Sequence, residues 1–215
     1  MAQQQGPARP FRLVVGITGA TGAIYGVRLL QALEGTRVET HLIVSRWGVR
    51  TLVHETPHTL DEVQKLAKHH YAPADQGAPV SSGSFLTNGM VIAPCSMRTL
   101  AAIATGQGEH LVHRAADVIL KERRKLVLVV RESPLHEIHL ENMLRLARMG
   151  AVILPPLPAF YNHPRSIDDV VDQTVMRILD QFDIHLDLTR RWDGKMSTGG
   201  APVSGDKILD EKASD

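Results

Sequence analysis

This sequence has almost no cysteine, no surplus of either charge and no long apolar run, and each shortage removes a class of protein. Its 215 residues include one cysteine, Cys95, so no internal disulfide can form and a cross-linked secreted scaffold is excluded. Lysine and arginine total 24 against 23 aspartates and glutamates, a balance that gives no electrostatic ground for nucleic acid or an acidic membrane surface as partner. No apolar run approaches the roughly 18 residues that cross a bilayer, so no membrane association is expected. The opening MAQQQGPARP lacks the apolar core of a secretion signal, and a reducing cytoplasm is the expected setting. What remains is a chain long enough for one well-buried domain.

Strand-like apolar runs alternate with helical patterns: RLVVGIT, VETHLIVS, GMVIAP, KLVLVVR and AVILPP. The alternation predicts an α/β fold, a single doubly wound parallel sheet of Rossmann-like or flavodoxin-like type with helices on both faces. Helices are expected to start near Gly22, Arg46, Leu60, Ser96, Leu111, Leu135 and Ser166, several with a capping residue such as Ser96, Asp61 or Ser166. Residues 71–88, rich in Pro, Gly and Ser, read as a long loop, and long loops in such domains often serve sites. The domain is expected to run over residues 11–192, between a disordered segment 1–10 and a polar, mobile tail 193–215. There is no internal repeat.

The stretch VVGITGATGAIYG, residues 14–26, carries an apolar strand into a glycine-rich turn and a helix, an arrangement whose backbone N–H groups face an anion. Its spelling resembles the nicotinamide-binding turn of short-chain dehydrogenases. A nicotinamide site wants an acidic residue about twenty positions later for the ribose hydroxyls. Here Ser45 and Arg46 stand in that place, which leaves only a 2′-phosphate as a fit. The dehydrogenase pair of Tyr and Lys four residues on is also missing, because Leu29, Asp75 and Arg165 follow Tyr25, Tyr71 and Tyr161 at that spacing. A second decoy is His54-Glu55-Thr56-Pro57-His58, which spells HExxH. Pro57 breaks the helix that would put both imidazoles on one face, so no zinc site is expected there. Cys95, in APCS at a strand end, could be a nucleophile, but a small packed residue is the commoner role and no His is placed by sequence to activate it.

Three later stretches gather polar groups at strand ends. VIAPCSMRTLAAIATG offers a second anion-binding helix start at Ser96 and Thr99. In HRAADVILKERRKLVLVVRESPLHEIHLENM, Arg114 and Lys121 lie seven residues apart on one helix face, and Arg131 and Glu132 close the next strand. PPLPAFYNHPRSIDDV presents Tyr161 on a proline-rich turn, with Arg177 on the helix after it.

Taken together, RAADVILKERR, VRESPLHEIHLENML and PPLPAFYNHPRSIDDVV resemble the UbiX-type flavin prenyltransferases, and the resemblance runs from about Leu13 to Trp192. It implies a reaction that joins a dimethylallyl group from dimethylallyl monophosphate to N5 and then C6 of reduced FMN. The product, prenylated FMN, is released for a UbiD-type decarboxylase. By the same resemblance the turn at Gly19, Ala20 and Thr21 receives FMN, and Ser45, the helix start Ser96, Met97, Arg98 and Thr99, and Arg131 complete the flavin site. Lys121, Arg114, Tyr161 and Arg177 then hold the substrate phosphate, Glu132 handles a proton, and Glu55 assists. Thr21 stands where family members commonly carry Ser, keeping the hydroxyl and adding a methyl. Trp47 and Trp192 are candidates to surround the allyl group. No metal is implied, so protein cations must stabilise the leaving phosphate. A large homo-oligomer, often a dodecamer with sites at subunit contacts, is implied as well. The rivals are an FMN-dependent cysteine decarboxylase of the same fold and a non-catalytic flavin carrier.

Overall fold

The run FRLVVGI lacks the alternation of a half-exposed strand. In the computed structural model, which describes residues 9–194, it forms β1 (Phe11–Ile17), whose last five residues are buried. β2 (Val38–Val44) and β4 (Gly89–Cys95) flank it, β3 (His69–Tyr71) lies outside β2, and β5 (Lys125–Val130) and β6 (Val152–Ile153) continue beyond β4. Every pairing in this six-stranded sheet is parallel, in the order β3-β2-β1-β4-β5-β6. The crossovers are α1 (Ala23–Leu33), α2 (Arg46–Glu55), α3 (Leu60–Leu66), α4 (Met97–Thr105), α5 (Leu111–Lys121) and α6 (Glu137–Arg148), and α7 (Ile167–Asp180) closes the fold.

Each face of the sheet has its own core. Val15, Ile17, Leu42 and Val129 pack under Leu29 and Leu30 of α1, Leu52 of α2, Val63 of α3 and Val175 and Leu179 of α7. On the other face Val14, Ile43, Ile92 and Leu128 meet Leu100 of α4, Leu111 and Ile119 of α5 and Leu146 of α6. The expected doubly wound α/β sheet is therefore present. Winding reverses between β1 and β4, and in such sheets ligands bind in the crevice beyond the carboxyl ends of the strands at that point.

Several expectations shift in detail. Residues 69–71 pair with β2 as an edge strand at the start of the expected long loop, and Pro79–Ser81 form a short 3-10 turn inside it. The cap of α3 is Thr59, not Asp61, because Thr59 and Glu62 form a reciprocal capping box. α6 starts at Glu137 behind His136, two residues later than Leu135. α2 stops at Glu55 with Thr56 as its C-cap, so no helix carries His54 and His58 on a common face. The segments expected to be disordered or mobile lie almost wholly outside the described residues.

Two contacts fix how the outer layers sit. Gly26 lets α1 press on the sheet: a Cβ there would lie 2.5 Å from the Ala93 carbonyl oxygen and 2.7 Å from Ile17 Cγ1. Beyond α7, the chain as far as Trp192 is tied back by Asp180, which accepts two hydrogen bonds from Arg191, each 2.9 Å, and one from Arg177 at 2.9 Å. His185 Nδ1 lies 3.2 Å away.

Gly26→Val should push α1 off the sheet and cost about 1–3 kcal/mol in urea unfolding, and an unchanged midpoint would show that the contact is not tight. The hydrogen bond from Arg191, aided by His185 and Arg177, outweighs burial and holds the Asp180 carboxyl below its ordinary range. A depressed folded value gives stability that is complete above the unfolded carboxylate value and lost as pH falls through the folded one. Asp180→Asn should therefore be less stable than wild type at neutral pH, with the gap closing below about pH 4. A gap constant down to pH 3 in denaturant titrations would contradict this.

Candidate functional site

At the winding reversal, one threonine joins the ends of β1 and β4. Thr18, 1% exposed, donates its hydroxyl hydrogen to the Pro94 carbonyl at 2.8 Å and accepts from the Ser96 N–H at 2.9 Å. The turn after β1 is thereby held against the start of α4. Ser96 caps α4 by accepting from the Thr99 N–H at 3.3 Å, and Ser45 caps α2 by accepting from the Gly48 N–H at 3.0 Å. These two serine-capped helix starts border one cleft of about 520 Å³. Gly19, Met97, Arg98 and Thr99 line it, as do Arg46, Trp47, Glu109, His110, His113 and Glu132. The bare α-carbon of Gly19 admits Trp47, since a Cβ there would lie 2.3 Å from Trp47 Cβ.

The glycine turn itself departs from expectation. The anion expected at the α1 start is supplied by the chain itself: the Gly22 and Ala23 N–H groups donate to Glu55 Oε2 at 2.7 and 3.1 Å. A carboxylate from the end of α2 thus meets the demand of the α1 dipole within the chain. The starts of α2 and α4 are the ones that face the cleft and can receive a phosphate. Thr21 is exposed and Ala20 half-buried beside them.

Of the remaining expected residues, Glu132 lines the cleft, its Oε1 accepting from the Ser133 N–H at 3.0 Å. The Arg131 N–H donates to the Cys95 carbonyl at 3.2 Å, and its cationic side chain is near enough to Tyr25 to oppose the effect of burial on that phenol. Arg98 reaches Glu109 at 2.9 Å across the rim. Cys95 is fully buried and burial pushes its thiol far up, so it is a packed residue and no nucleophile at neutral pH.

The phosphate-binding candidates do not meet in the single chain. α5 begins at the cleft beside His110, and at a rise of about 1.5 Å per residue Lys121 lies about 15 Å along it, paired with Glu122. Arg114 is bonded to the Ser81 carbonyl at 3.2 Å and to Asp117 at 2.7 Å. Tyr161 and Arg177 belong to a third group, in which Tyr161 packs edge-on against Trp192 at 5.8 Å and Arg177 shares Asp180 with Arg191.

Sequence reasoning missed Thr18, whose role depends on two strand ends meeting, and the pair His110 and His113. Those rings lie 3.8 Å apart at the cleft, each with a buried Nδ1 that has no hydrogen-bond partner among the described residues. Burial lowers both, taking His113 to about 4 with help from the charge of His110, so both are neutral donors or acceptors at neutral pH. Their spacing carried no recognisable motif.

Comparison with known proteins identifies the family. The chain matches the Flavoprotein family over residues 1–179. It is 60% identical over 191 residues, 88% of this chain and 94% of the other, to a probable UbiX-like flavin prenyltransferase of Bacillus subtilis (strain 168). The crystal structure of a dodecameric FMN-dependent UbiX-like decarboxylase from Escherichia coli O157:H7 superposes with a TM-score of 0.84 at 57% identity, covering 86% of this chain and all of that one (100%). A structure of AnUbiX (PadA1) in complex with FMN and dimethylallyl pyrophosphate gives a TM-score of 0.86 at 52% identity, over 87% and 100% of the two chains. Identity at this level across most of both partners places this chain among the UbiX-like flavin prenyltransferases of the flavoprotein family.

Proposed function

We propose that this chain transfers a dimethylallyl group from dimethylallyl monophosphate to N5 and C6 of reduced FMN and releases prenylated FMN to a UbiD-type decarboxylase in the cytoplasm. The observation that carries it is one cleft holding two serine-capped helix starts, suited to a phosphate, beside the carboxylate of Glu132, a group that can exchange a proton. The cleft volume is that of a small-molecule site, and His110 and His113 line it.

Reduced FMN supplies the nucleophilic N5 and C6. Ser45 and the run Ser96, Met97, Arg98 and Thr99 hold its phosphate at the starts of α2 and α4, while Gly19, Ala20, Thr21 and Arg131 border the flavin. Glu132 gives a proton to the allyl double bond, opening its substituted carbon to attack by C6, and takes up the proton that C6 loses as the fourth ring closes. Glu55 is fixed beside Thr21 by the Gly22 and Ala23 N–H groups and assists there. Lys121, Arg114, Tyr161 and Arg177 stabilise the phosphate as the carbon–oxygen bond breaks, a task that a magnesium-bound diphosphate performs in most prenyl transfers.

Two groups, one on α5 and one around Tyr161 and Arg177, supply these cations, and a homo-oligomer, a dodecamer as in the E. coli relative, would bring them together across subunit contacts. The unpaired apolar surface supports this assembly: Ile138, Leu140 and Leu144 of α6 and Leu157 and Phe160 of the proline-rich turn are all exposed. Light scattering should show a particle several times 23.6 kDa, and a monomer at working concentration would overturn the shared site.

Anaerobic incubation with reduced FMN and dimethylallyl monophosphate should give free phosphate and a flavin heavier by one five-carbon unit, with a chelator present. Mass spectrometry of the extracted flavin reads this. Unmodified flavin together with decarboxylation of a cysteine substrate would favour the decarboxylase, and FMN binding with neither reaction would favour a carrier. Lys121→Ala and Arg114→Ala should each slow turnover about a hundredfold to a thousandfold. Glu132→Gln should bind FMN normally yet fail to complete the fourth ring. Near-normal rates in all three variants would remove these residues from the mechanism.

A further inference from the structure

At the opposite end of the sheet from the cleft, the edge between β2 and β3 gathers three ligand-type side chains on one face. Glu39 and His41 are alternate residues of β2, and His69 is the register partner of His41 on β3. Glu39 Oε1 lies 3.2 Å from His41 Nε2 and 3.2 Å from His69 Nε2, and one ligand atom from each residue falls within 4.8 Å of the others. Ligands about 2.0–2.1 Å from a tetrahedral zinc stand about 3.3 Å from one another, so the two Glu–His separations already match.

His41 adds an independent sign of a ligand. It is 1% exposed, and its buried Nε2 faces Glu39 Oε1 at 3.2 Å out of line for a well-formed hydrogen bond. A buried nitrogen whose one close acceptor is poorly aligned is under-satisfied. Its Nδ1 lies 2.8 Å from the Tyr71 hydroxyl, and a donation from Nδ1 to that oxygen leaves the lone pair on Nε2. Metal-binding histidines are oriented in this way by a second partner. Arg12 also contacts Glu39: its Nε donates to Oε1 at 3.2 Å while its guanidinium lies over Phe85 at 4.7 Å.

We propose that Glu39, His41 and His69 form a binding site for a divalent transition-metal ion, Zn²⁺ being the best match, with a water in the fourth position on the exposed His69 side. Bound there, the ion would pin the three-residue edge strand β3 to β2. It has no part in prenyl transfer, and the proposal does not depend on that activity.

The test is calorimetric titration of Zn²⁺ into chelator-stripped, full-length protein, with Co²⁺ absorption as a report on geometry. Wild type should bind one ion per chain at this site, show the visible bands of low-coordinate Co²⁺, and unfold at a temperature several degrees higher with Zn²⁺ in excess. His69→Ala, a change at a half-exposed side chain that the fold tolerates, should weaken binding more than about a hundredfold, since even losses in the outer shell cost ten- to a hundredfold. Glu39→Gln should remove the Co²⁺ bands. The proposal is overturned if stripped wild type takes up no Zn²⁺, or if both variants keep the wild-type affinity and the wild-type rise in unfolding temperature, which would place the ion on surface histidines elsewhere.

Discussion

The position of the whole cleft depends on the Thr18 hydroxyl. β4 carries a bulge between Ile92 and Cys95, and across it the regular ladder to β5 shifts register. At that irregularity Pro94 has no N–H to give, and its carbonyl turns to β1, where the Thr18 N–H and hydroxyl both reach it. The same hydroxyl accepts from Ser96, so α4 takes its origin from β1 as much as from β4. The other helix start at the cleft is tied to the end of β1 as well, by a backbone bond. Ser45 at the head of α2 gives its N–H to the Ile17 carbonyl, one residue before Thr18. A buried hydroxyl with both its donor and acceptor capacity used is costly to disturb, which suits a joint between two anion-binding helix ends.

How far the sequence disclosed this depends on whether each signal is local. The strands β1, β2, β4 and β5 are apolar runs bounded by turn residues, and the helices show caps such as Ser45, Ser96 and Ser166, so their identity could be read along the chain. β3 could not, because His69, His70 and Tyr71 have no apolar alternation and become a strand only through the exposed edge of β2. The resemblance named Ser96 and Glu132 for the site and was silent on Thr18 and on His110 and His113. Those residues become neighbours of the cleft through contacts between elements far apart in sequence. Glu55 shows the opposite case: the residue was singled out, but its hold on Gly22 and Ala23 is made 32 and 33 residues away and has no local sign.

The exposed cations and the exposed apolar side chains belong to one account. Arg114 and Arg177 each rest on an acidic neighbour three residues on, Asp117 and Asp180, and Lys121 rests on Glu122. The Arg114 and Lys121 pairs are exposed and contribute little to stability, so these two side chains can exchange partners at small cost, and Asp180 keeps both bonds from Arg191 if Arg177 leaves it. The α6 face, with Ile138, Leu140 and Leu144 in water, is costly to leave uncovered. A fold that keeps its cations weakly committed and its apolar faces open favours association, after which the cations can take up a shared anion.

The grip of Glu55 on the α1 start separates two kinds of helix end. At α1 the positive dipole end is met by a carboxylate of the same chain, whereas the starts of α2 and α4, capped by serine hydroxyls, border the cleft. An anion nearing the molecule therefore meets a neutralised helix end at Gly22 and two open ones at Ser45 and Ser96, although all three lie at carboxyl ends of the same sheet.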